Sequence, residues 1–118
     1  MTVTLSNTGA ANTHTLFVYV YAGGETDVNN PATVLATNNA VITGGTASVV
    51  MKEDNGNWDP TGTGGTTYDI YIYTDSDGNS DMEDGTVYIT DPFPGTVTIN
   101  GDQTIATDYA DMGLYNPL

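Results

Sequence analysis

The chain has no cysteine, no arginine, a single lysine (Lys52), a single histidine (His14) and no apolar run long enough to span a bilayer. Each absence removes a class of chemistry. Without cysteine there is no disulfide, no thiol nucleophile and no sulfur-ligated zinc, and the thiol redox poise of the compartment has no purchase. One basic side chain stands against 15 Asp and Glu, for a formal net charge of -14. Nothing can then neutralise phosphates, so nucleic acid is not an expected partner, and anionic membrane surfaces and membrane insertion are disfavoured. His14 alone cannot furnish a transition-metal centre and reads as a surface residue at the start of a strand. No nucleophile and base pair stands out, and Glu25, Glu53 and Glu83 all fall in expected surface loops. The chain is therefore read as non-catalytic.

Good helix formers are scarce too, whereas Thr leads the composition, followed by 14 Gly, and there are 8 Tyr. This vocabulary predicts strands near 2–5, 14–22, 33–37, 40–43, 46–52, 67–74, 86–90, 96–100 and 103–107, separated by Gly, Pro, Asn and Asp. The expected fold is all-β: a single antiparallel β-sandwich of seven to nine strands, Ig-like or jelly-roll-like, with residues 1–118 forming one domain. Within "TVTINGDQTI", Asn100-Gly101 suggests a hairpin, and a three-residue loop would set Val97 across from Ile105.

Two long strands alternate in an unusual way, and a shorter one repeats the pattern. Leu16, Val18 and Val20 share one face while Phe17, Tyr19 and Tyr21 share the other; Ile70 and Ile72 oppose Tyr71 and Tyr73, and Val87 and Ile89 oppose Tyr88. The aliphatic side is the expected core. The tyrosine side has three readings: cross-strand pairs stabilising a half-exposed sheet, an interface for another subunit or module, or a platform for sugar rings.

Between two of these strands runs "DSDGNSDMED", which places Asp75, Asp77, Asn79, Asp81, Glu83 and Asp84 in one connection. Crowded carboxylates repel unless a cation sits among them, and calcium takes six to eight oxygens from loops with alternate carboxylates and a glycine at the sharp turn. Laid on the twelve-residue EF-hand loop, Asp75 takes the third position, Asp77 the fifth, Gly78 the invariant glycine, Asn79 the carbonyl position, Asp81 the ninth and Asp84 the twelfth. The run resembles the calcium loops of thrombospondin type 3 repeats and dockerins, which also end in Asp. That resemblance covers ten residues and implies Ca2+. It departs where Tyr73 occupies the first ligand position and where the flanks are strands, so a ligand must come from Glu83, a carbonyl or water. Magnesium, which prefers few carboxylates and retained waters, fits less well.

A softer cluster surrounds Trp58, with Glu53, Asp54, Asn55, Asn57 and Asp59; Trp58 is read either as a cap on the core or as a glycan-stacking ring. After the last expected strand, Met112, Leu114 and Tyr115 need an apolar surface, so residues 1–10 and 108–118 are candidate strand-exchanging or subunit-contacting ends. In outline the chain resembles bacterial and archaeal surface β-sandwich subunits joined by donor strands. The combined expectation is a calcium-binding structural protein, extracellular or at the cell surface with its signal removed or absent, that assembles with itself into a filament or surface layer. The alternative is an adhesive or carbohydrate-binding module whose partners are surface glycans.

Overall fold

The structure is a computed structural model and describes residues 1–9, 14–22, 34–53, 56, 58–60, 66–75, 87–90, 96–99 and 101–115. Those residues carry nine strands: β1 (Thr2–Ser6), β2 (Thr15–Ala22), β3 (Val34–Val41), β4 (Thr46–Val50), β5 (Thr66–Asp75), β6 (Val87–Thr90), β7 (Thr96–Ile99), β8 (Thr104–Asp108) and β9 (Met112–Tyr115). They form two sheets. The smaller has the order β4-β1-β8; the larger runs β3-β2-β5-β6-β9, with β7 also on β5. Every named pairing is antiparallel except β1 with β8, which is parallel.

Period-two patterning places the core. Val3 and Leu5 of β1 and Ala47 and Val49 of β4 turn inward from the small sheet. Leu16, Val18 and Val20 of β2 meet them from the large one, with Ile70 and Ile72 of β5, in one apolar cluster. Each buried Val, Leu or Ile among them stabilises the fold by about 1.5–3 kcal/mol through burial, and Ala47 by less. Met51, Trp58 and Tyr68 belong to the same cluster, and Ile105, Tyr109 and Met112 pack against it half-buried.

The turns join sheets as well as strands. Between β3 and β4, Thr43 and Thr46 exchange backbone hydrogen bonds of 3.0 and 3.3 Å around Gly44 and Gly45, whose φ angles of 62° and 86° are those of a type I′ turn. The two strands it links lie in different sheets, and Asn38 Nδ2 donates to the Val50 carbonyl at 2.9 Å across that corner. Beside it, β3 carries a bulge: Val20 pairs with Ala36 but Tyr21 with Val34, leaving Leu35 without an opposite.

Several expectations need correction. The predicted strands 33–37 and 40–43 are the single strand β3. The Asn100-Gly101 hairpin does not form, because Val97 pairs with Tyr68 in the large sheet and Ile105 pairs with Val3 in the small one. Gly101 does take a positive φ of 88°, so the turn chemistry serves a crossing between sheets. A further strand, β9, forms in the C-terminal segment and pairs with β6.

On one side of β5 lies β2; on the other, β6 and β7 follow one another. Continuing the Tyr73–Ile89 pairing would bring Phe93 opposite Asp69, yet Asp69 pairs with Thr96, so three residues are extra between β6 and β7. The intervening sequence holds Pro92 and Pro94, which have no amide hydrogen to give to a ladder.

Candidate functional site

The acidic run connects two strands that pair at its base. Asp75 is the last residue of β5, paired with Thr15 on one side and Val87 on the other, and Thr74–Tyr88 and Tyr73–Ile89 continue the ladder. The predicted hairpin around "DSDGNSDMED" is therefore present at its stem. Asp77, Asn79, Asp81, Glu83 and Asp84, with the side chain of Asp75, lie outside the described residues. Among the described residues no three His, Asp or Glu side chains gather into a metal-holding group.

The tyrosine face is where sequence and structure differ most. β2 and β5 are neighbours, with Tyr19 opposite Tyr71 and Phe17 opposite Tyr73, so the aromatic positions of the two strands share a face. Tyr71 and Tyr73 are fully buried, Tyr21 is 2% exposed and Phe17 5%; only Tyr19 is half-buried. The surface readings of Tyr21, Tyr71 and Tyr73 are thus corrected, since rings hidden within one chain cannot meet a subunit or a sugar. The rings form a stacked array: Phe17–Tyr73 at 5.0 Å, Tyr71–Tyr73 at 5.4 Å, Tyr19–Tyr73 at 5.5 Å and Tyr19–Tyr21 at 6.3 Å between centroids. Pairs of this kind contribute about 0.5–1.5 kcal/mol each beyond burial. In the backbone register Tyr88 is opposite Thr74 and Ile89 opposite Tyr73; the Tyr88 side chain lies outside the described ones.

Trp58 is 9% exposed, sits edge-on to Tyr68 at 5.4 Å, and donates from Nε1 to the Lys52 carbonyl at 3.1 Å. It caps the core. A ring enclosed in this way has no open face for stacking on a glycan, which corrects that reading. Of the neighbouring acids, Glu53 is exposed and Asp59 is half-buried, with its amide donating to the Tyr68 hydroxyl at 3.1 Å; residues 54, 55 and 57 lie outside the described residues, and among the described ones no acidic cluster forms. The Glu25 and Asp27 loop lies outside them too. His14 is half-buried and its carbonyl accepts from the Ile42 amide at 3.1 Å. A cleft of about 540 Å³ is lined by Val50, Met51, Lys52, Glu53, Pro60 and Asp102 among others. It combines the Lys52 ammonium, the Met1 amino group paired with Asp102 at 3.1 Å, and the carboxylates of Glu53 and Asp102 with apolar walls, and has no imidazole among its described lining residues.

Both candidate exchanging ends are paired within the chain. β1 is the middle strand of the small sheet, and β9, which contains Met112, Leu114 and Tyr115, is at the end of the large one. Met112 packs on the core.

Two features of this region had no clear signal in the sequence. Asn7, at the left-handed φ of 58°, donates from Nδ2 to Asp108 Oδ2 at 2.6 Å, and Asp108 Oδ1 accepts from the Ala110 amide at 3.0 Å at the head of a 3₁₀ turn, Tyr109–Asp111. The Ala110 amide first, and then Asn7, hold the Asp108 carboxyl below its ordinary value, against a small opposing effect of desolvation. Thr74 is fully buried, and its hydroxyl has no hydrogen-bond partner among the described residues. An Asn-x-Gly pattern or a strand Thr is too common to have announced either.

No protein-family model matches the chain, and comparisons with curated proteins and with solved structures likewise give no match.

Proposed function

We propose that the chain is an extracellular, calcium-binding structural subunit, a β-sandwich of the Ig-like or jelly-roll-like kind that assembles with copies of itself into a filament or surface layer. The observation that carries this reading is the acidic connection between β5 and β6: ten residues with carboxylates at alternate positions around Gly78, rooted on a stem whose first Asp is paired on both sides. A stem of that kind fixes where the loop begins and ends, and lowers the ordering cost of wrapping an ion. Asp75, Asp77, Asn79, Asp81 and Asp84 would supply oxygens, with Glu83 or water completing the shell. The likeness to thrombospondin type 3 and dockerin loops rests on the same ten residues.

Assembly rests on the sheet edges. Among the described residues β9 is a four-residue strand with a neighbour on one side, so handing its place to the same strand of another copy would disturb little else there; β1, held between β4 and β8, is much less suited to exchange. The carbohydrate-binding alternative is weakened by the enclosure of Trp58, Tyr21, Tyr71 and Tyr73. Electron microscopy of concentrated protein with calcium, and after a chelator, tests the proposal. Ordered polymers that loosen on chelation are expected; particles that stay monomeric in both conditions would rule out the assembling role.

A further inference from the structure

A chain without cysteine has no disulfide to join its strands, yet two phenols of adjacent strands lie hydroxyl to hydroxyl. Tyr73 Oη donates to Tyr19 Oη at 3.3 Å across a sequence separation of 54 residues. Their rings are 5.5 Å apart between centroids and 11° from parallel. Tyr73 is fully buried and stacked with Phe17 and Tyr71, whereas Tyr19 is half-buried and so the more accessible of the two. We propose that Tyr19 and Tyr73 are an oxidative modification site, joined by a dityrosine bond when the protein meets hydrogen peroxide and a haem peroxidase.

The chemistry balances with those two reactants. Tyr19, the accessible member, loses one electron and one proton to the peroxidase and becomes a phenoxyl radical. A hydrogen atom then passes from Tyr73 Oη to Tyr19 Oη along their hydrogen bond, which regenerates Tyr19 and leaves the radical on the buried ring. A second oxidation of Tyr19 gives a radical pair. Phenoxyl spin resides partly on the carbons next to the oxygen, so one Cε of each ring couples to form a carbon–carbon bond; the hydrogens on those carbons return to the oxygens as the rings become aromatic again. Each tyrosine has given up one electron and one proton, and hydrogen peroxide takes both pairs to become two molecules of water. Rings already held together should couple with each other faster than with a second molecule. Tyr71, directly opposite Tyr19, stacks on Tyr73, but the hydroxyl bonded to Tyr19 is that of Tyr73.

The sequence supplies its own readout. Lys52 is the single tryptic site and lies between the two tyrosines. After oxidation, denaturation and tryptic digestion, residues 1–52 and 53–118 should remain covalently joined, two hydrogen atoms lighter, with dityrosine fluorescence in the monomeric band. Fragmentation in the mass spectrometer should place the link at residues 19 and 73 without any variant. Tyr19→Phe keeps the ring and should release two separate fragments, while Tyr71→Phe should keep them joined. Fragments that separate in the oxidised wild type, a link found only between molecules, or fragments that stay joined in Tyr19→Phe would overturn the assignment.

Discussion

Asp108 spends both carboxylate oxygens on a single corner, one on the Ala110 amide and one on Asn7, tying the end of β1 to the turn that leads from the small sheet to the large. Because both bonds favour the charged form, its pKa in the folded chain lies below that in the unfolded chain. The stabilisation is therefore present above the unfolded value, near pH 4, and is lost as pH falls through the folded one. An NMR titration of Asn7→Ala should find the Asp108 pKa raised toward the ordinary carboxylate range yet still somewhat low, since the Ala110 amide remains. Thr74 offers the opposite case. A buried hydroxyl without a partner among the described residues destabilises the fold, so Thr74→Val, equal in shape, should gain about 1 kcal/mol in chemical denaturation. A loss of stability would mean that the hydroxyl is in use.

At the scale of elements, what could be read in advance was the alternation within strands, and what could not was the choice of partner. The faces of β2 and β5 follow from side-chain period alone, and their register agrees with it. Asn100-Gly101 announced a positive φ correctly but not which strands would flank it, because a turn preference is local while pairing is decided by the sheets on either side. The tyrosine row was legible as a row; its burial was not, since composition cannot tell a half-exposed sheet face from one enclosed on both sides. The site's acidic spacing was legible in the same local way, and its stem at Asp75 and Val87 follows from the strand patterns on either side. Close approach of backbone leaves another local mark. Gly56 bridges Ala36 at the edge of β3, and a Cβ there would collide with the Leu35 carbonyl oxygen and the Ala36 backbone. Gly56→Ala should therefore cost about 3 kcal/mol in denaturant unfolding; an unchanged midpoint would show that this edge is not closed in solution.

For the whole molecule the dominant fact is charge. A net -14 on 118 residues opposes compaction, and with one lysine the chain has few internal counter-charges of its own. A divalent ion in the most acidic connection would remove repulsion where it is concentrated and tie binding to folding, because an ion held by the folded loop alone raises stability by mass action. Calcium bound with a Kd of about 10⁻⁴–10⁻³ M would suit an extracellular module. The most direct test is isothermal titration of the metal-free chain with calcium, beside the Asp77→Asn, Asp81→Asn double variant. A saturable heat in the wild type that disappears in the variant is the predicted result; no saturable heat in the wild type, or the same heat in both, would contradict a calcium site in this loop.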